Sequence, residues 1–207
     1  MIKVYSVVAC MLFFTTLCVI CVIKSPKLLT YFEESGSVLF VCIGFVIAGI
    51  IMQTCCRHTF RQSPMNYILL AYFTISWSVM TAGFCAYADW RIVLICSIMT
   101  SLMSFSLVMV AFCIKHEMTW CYGIGATFML SVWPAIIFAI VDPKRSFYTM
   151  LAFIGTILAS CYIIIDTEKV METYGATNEY IYGALALYKD ILVMFISLLS
   201  ILGTSNR

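Results

Sequence analysis

The stretch YIYGALALYKDILVMFISLLSILG, Tyr180 to Gly203, decides the fold. A helix that crosses a bilayer takes about 20 mostly apolar residues. This run is long enough, and it is apolar on every face apart from Lys189 and Asp190. A barrel strand would alternate apolar and polar residues over about 10 positions, and that pattern is absent. The stretch therefore reads as a membrane-spanning helix.

Six more runs of the same kind precede it: about Val4–Ile23, Val38–Cys56, Met65–Ala88, Ile92–Ile114, Thr119–Val141 and Ser146–Ile165. Charges and prolines bound them, as at Lys24-Ser-Pro26-Lys27, Arg57-His58, Asp89-Trp90-Arg91, Lys115-His116-Glu117 and Asp142-Pro-Lys-Arg145. Trp133-Pro134 should kink the fifth run. The first run is too long for the 7–15-residue core of a cleaved signal peptide and ends in Lys and Pro, so it reads as a retained helix. The expectation is an all-α, polytopic membrane protein: one integral domain over residues 1–207, built as a seven-helix bundle.

Composition agrees. Of 207 residues, 63% are hydrophobic and 11% charged, and the mean hydropathy is +1.04. Soluble domains carry about 25% charged residues. Disorder needs low hydrophobicity. Nucleic-acid binding is excluded, because 12 Lys+Arg face 10 Asp+Glu and no basic run exists. The lipid bilayer is the expected partner. Positive charges divide almost evenly between the two sides, so orientation does not follow from charge. Most of the 11 cysteines fall inside apolar runs, where Cys is a small hydrophobe. Cys55-Cys56 at a span end is open to palmitoylation or metal binding. Small residues such as Gly44, Ala48-Gly49, Gly155 and Ala159 fit close helix packing. No internal repeat marks an inverted-repeat transporter.

Ionisable groups inside a membrane are costly and are functional candidates. Asp190 lies ten residues after Tyr180, about 15 Å along a helix and near mid-membrane. Its neighbour Lys189 points elsewhere on the helix, so Asp190 needs a partner from another helix, a proton, a cation or water. Asp166 has two readings. It is a helix-end carboxylate in water, or the sixth helix continues past it and its carboxylate faces Asp190. Two close carboxylates do not both ionise cheaply and share a proton. Such a pair also suits weak Ca²⁺ binding through oxygen. Enzyme chemistry is not expected. Both histidines, His58 and His116, sit at span ends, and no HExxH, GxSxG or phosphate loop occurs. The sequence contexts of intramembrane aspartyl proteases and of seven-helix receptors are missing too.

The C-terminal third, Tyr162-Ile-Ile-Ile-Asp166-Thr167 followed by Glu179-Tyr180 and by Leu187-Tyr188-Lys-Asp190-Ile191, resembles the transmembrane Bax inhibitor motif family, in its Lifeguard and Golgi anti-apoptotic branch. Lys3-Val4-Tyr5-Ser6 and Pro64-Met-Asn66-Tyr-Ile-Leu-Leu70 agree with the branch's first and third helix starts. The resemblance runs from Lys3 to Gly203. It implies seven helices with the last one central and a pH-sensitive Ca²⁺ leak from internal stores that suppresses apoptosis. It also implies a Golgi or endoplasmic reticulum location, with the plasma membrane as another. The family's two-aspartate sensor falls on Asp166 and Asp190. An arginine near the end of the second helix is the implied gating partner, matched by Arg61 or Arg57. Departures exist: Ile165 stands where an aromatic residue often precedes the first Asp, and the second span holds no acidic residue. The long cytosolic segment of many members precedes no helix here, so nothing assigned to it carries over.

The leading expectation is therefore a Ca²⁺ leak with no resident cofactor and with Asp166 and Asp190 as weak ligands. Two rivals stand beside it. One is an anti-apoptotic protein that acts by binding other membrane proteins of cell-death or calcium-store pathways. The other is a proton-coupled cation antiporter.

Overall fold

A computed structural model of the chain describes residues 2–34, 36–55, 64–113, 146–171 and 180–203. Among them are seven helices and no strand: α1 (Ile2–Lys24), α2 (Pro26–Glu34), α3 (Gly36–Cys55), α4 (Met65–Ala86), α5 (Trp90–Cys113), α6 (Ser146–Lys169) and α7 (Tyr180–Gly203). Four of them, α1, α4, α5 as far as Met109, and α7, are long and apolar enough to cross a bilayer. The pair α2 and α3, bent by 81° between them, makes a fifth span if taken together. The chain is thus a helical, multi-pass membrane protein in contact with lipid. The expected span Thr119–Val141 lies outside the described residues.

Lipid-facing surface is plain on the helix exteriors. Phe13 is 67% exposed, Phe40 77% and Phe105 67%, an apolar exterior that only hydrocarbon tolerates over so large an area. Exposed Thr16, Ser101 and Ser106 each donate to the carbonyl four residues back on their own helix. Lipid offers a hydroxyl no other partner. Among the described residues, eight cysteines are free thiols. Cys85 and Cys96 are buried as expected, whereas Cys10, Cys21 and Cys55 face outward.

Helix α2 is an addition to the sequence reading, which placed only a break at Lys24–Lys27. Ser25 alone separates α1 from α2, and Pro26 stands at the first helical position, where a missing N–H costs nothing. Leu28 and Tyr31 are exposed while Phe32 is buried, so the helix has one inward face. The Tyr87 hydroxyl donates to Phe32 O at 2.6 Å and ties α2 to the end of α4.

The chain divides into two compact units, Met1–Tyr87 with Val170–Lys189, and Ala88–Lys169 with Asp190–Arg207. In the first, α4 packs against α1 and α3, and its buried face includes Leu69, Phe73, Trp77 and Met80. In the second, α5 packs on α6 with Cys96, Met103 and Leu107 buried. In α7, 56% of the most apolar window is buried, against 28% in α1. Residues Ile181, Tyr182, Gly183, Ala184 and Leu185 are all buried. Five consecutive buried positions exceed one turn, so the start of α7 is enclosed on every side.

Close helix approach rests on particular glycines. A Cβ at Gly49 would stand 2.9 Å from Tyr72 Cε1 and 3.1 Å from Phe73 Cε2, whereas one at Gly44 would meet nothing within 4 Å. Gly49→Val is expected to destabilise by about 1–3 kcal/mol through overpacking, and Gly44→Val to leave stability unchanged. Thermal unfolding midpoints in detergent check the contrast.

Candidate functional site

Asp166 is not at a helix end in water. Helix α6 runs on through Lys169, with a final π turn at residues 170–171. Asp166 is only 7% exposed. Of the two readings of Asp166, the helix follows the one in which it continues past that residue, and the local reason is visible. Thr167 Oγ1 donates to Ile163 O at 2.6 Å. Lys169 Nζ stands 2.9 Å from Asp166 Oδ1, an i,i+3 ion pair along the helix. Pairing lowers the cost of carrying a carboxylate into a mostly apolar setting, so the helix can continue.

Asp190 sits in the middle of α7 and is 2% exposed. Asp166 and Asp190 belong to the same compact unit. Arg57 and Arg61, the implied gating partners, lie outside the described residues. Lys169 is a cation the sequence reading did not connect to the site, although its spacing from Asp166 is one that brings helix side chains together.

No group of three or more His, Cys, Asp or Glu side chains gathers to hold a metal among the described residues.

Two residues before Asp190, Tyr188 is fully buried. Its hydroxyl lies 2.7 Å from Thr15 Oγ1 on α1, and Thr15 Oγ1 lies 3.0 Å from Ser78 Oγ on α4. The first turn of α7 is fastened as well. The Tyr180 and Tyr67 hydroxyls are 3.0 Å apart, and Lys3 Nζ stands 5.9 Å from the centre of the Tyr180 ring. The Tyr182 hydroxyl donates to Gln53 O. Lys3, Tyr67 and Tyr180 come from the three stretches that carry the family resemblance, and within the first unit they meet around one side chain.

These features define a multi-pass helical membrane protein that carries buried carboxylates on α6 and α7. The family profile described as "Inhibitor of apoptosis-promoting Bax1" matches residues 1–207, and the chain belongs to that Bax1-I family. It is similar to Protein lifeguard 3 of Homo sapiens, at 26% identity over 99% of this chain and 68% of the relative. It is also similar to Protein LIFEGUARD 2 of Arabidopsis thaliana, at 26% identity over 97% of this chain and 85% of the relative. Protein LIFEGUARD 3 of the same plant is 26% identical over 99% of this chain and 84% of its own length. No solved structure gives a significant match.

Proposed function

We propose that this protein is a pH-sensitive Ca²⁺ leak channel of internal membranes, Golgi or endoplasmic reticulum, which lowers store calcium and so restrains cell death. The observation that carries the reading is Asp190, a carboxylate 2% exposed in the middle of a membrane-spanning helix. Such a group is costly to keep and marks an ion or proton pathway. Membership of a family described by inhibition of an apoptosis-promoting protein supports the cellular role.

The mechanism follows from charge. With Asp166 and Asp190 ionised, the pathway attracts cations. A proton bound to the pair on acidification removes negative charge and closes the path. Flux therefore rises with pH. Lys169 Nζ, 2.9 Å from Asp166 Oδ1, offsets part of the negative charge a cation would meet. Lys169→Gln removes that positive charge and is expected to raise cation flux, measured with a calcium-sensitive dye in proteoliposomes.

The double variant Asp166→Asn/Asp190→Asn separates flux from partner binding. On the channel reading it loses both calcium release from stores and protection against apoptotic stimuli. A folded double variant that conducts nothing and still protects cells would overturn the channel reading in favour of protein partners. Flux that required an opposing proton gradient would mark an antiporter instead.

A further inference from the structure

Many hydroxyls on these helices donate back to their own backbone, and in the interior of the first unit one of them also joins side chains of other helices. Thr15 Oγ1 lies 2.9 Å from Met11 O, 2.7 Å from Tyr188 Oη and 3.0 Å from Ser78 Oγ. A carbonyl cannot donate, so the single proton of Thr15 goes to Met11 O. Tyr188 and Ser78 must then both donate to Thr15. Every proton of the triad is used. The Ser78 and Tyr188 oxygens stand 3.4 Å apart, and neither has a proton left for the other. Thr74 O is 3.5 Å from Tyr188 Oη, too far to draw that proton from Thr15. Lone pairs on two fully buried oxygens therefore await donors.

Unused groups lie within a turn of Ser78 on α4. Trp77 Nε1 and Thr81 Oγ1 are buried with no hydrogen-bond partner among the described residues, on side chains whose residues are 4% and 1% exposed. Thr15, Thr16, Thr30 and Thr74 all donate to the carbonyl four residues back, and Thr81 does not. Residues three and four apart share a helix face, so Thr81 lies on one face with both Trp77 and Ser78. An N–H and an O–H lacking acceptors thus belong to residues within one helical turn of Ser78, whose oxygen lacks a donor.

We propose that this cluster is a binding site for ordered water between α1, α4 and the first half of α7. A water molecule donates to Ser78 and Tyr188 and accepts from Trp77 Nε1 or Thr81, directly or through a second water. A buried water makes about three hydrogen bonds, and these groups supply them. The groups are neutral, so the ligand is water and not calcium, which requires a larger and more anionic set of oxygens. The site needs neither Asp166 nor Asp190 and stands independently of the calcium reading.

Radiolytic footprinting of the full chain in lipid nanodiscs tests it, because radicals formed from bound water oxidise the side chains beside it. Trp77 and Tyr188 oxidise at rates within a few-fold of Trp90, which is 60% exposed. Thr81→Val lowers the Trp77 rate several-fold and Thr81→Ser preserves it, with Trp90 unchanged in both. Protected Trp77 and Tyr188 beside an oxidised Trp90 in the unsubstituted protein would overturn the proposal. So would a Trp77 rate that ignores the loss of the Thr81 hydroxyl in a folded Thr81→Val variant.

Discussion

On the channel reading, Asp190→Asn is expected to abolish the pH dependence of calcium flux and to lower flux at neutral pH by about tenfold or more. The substitution keeps size and shape, so no cavity forms; only the charge and the titrating group go. A unit charge about 4 Å from a monovalent ion at an effective dielectric near 20 contributes about 4 kcal/mol, and a divalent ion feels twice that. Even a fraction of this attraction covers a tenfold change, since about 1.4 kcal/mol is one decade. Asp166→Asn is expected to do less. The ammonium of Lys169 already stands against that carboxylate at 2.9 Å and offsets part of its charge. The ordering of the two variants is measured from flux–pH curves in proteoliposomes. Equal effects, or a larger one at Asp166, would place the gate at the end of α6 and not in the middle of α7.

Tyr188→Ala is the most destabilising single change expected in the first unit. Tyr188 is fully buried and heads the large side chains that are so enclosed. Truncating a buried aromatic ring costs about 3–5 kcal/mol when the surroundings cannot collapse. Tyr188→Phe keeps the ring and removes only the donor to Thr15, a loss of about 1–2 kcal/mol. The difference separates packing from hydrogen bonding. Unfolding in mixed micelles, followed by circular dichroism, should order the variants as wild type, Phe, then Ala. A Tyr188→Ala protein as stable as wild type would contradict the burial of this part of α7.

The long helices were legible because each needs only its own run of apolar residues. In α1, α4, α5 and α7, lipid supplies the environment and charges mark the ends. Asp190 drew attention for a related reason: its position along the helix is arithmetic from the start at Tyr180. Helix α2 was not legible. Its nine residues carry no spanning run, and what holds it is tertiary, the burial of Phe32 and the Tyr87 bond to its carbonyl. The end of α6 stayed open between two readings because Asp166 begins a polar stretch. The i,i+3 spacing of Asp166 and Lys169 was the available signal that the helix could continue. The Thr15–Ser78–Tyr188 triad joins residues 63 and 173 apart in sequence. No local pattern announces such a meeting; only folding brings the three hydroxyls together. Family membership was readable because the residues around Asp166 and Asp190, and those at the starts of the first and third spans, form a combination of motifs and not one short match.

Calcium flux through the purified, folded protein in liposomes, measured between about pH 6 and pH 8, tests the central claim most directly. The account predicts a leak above that of empty liposomes which grows as pH rises, with no imposed proton gradient. No leak at any pH, from protein shown by circular dichroism to be helical, would contradict it.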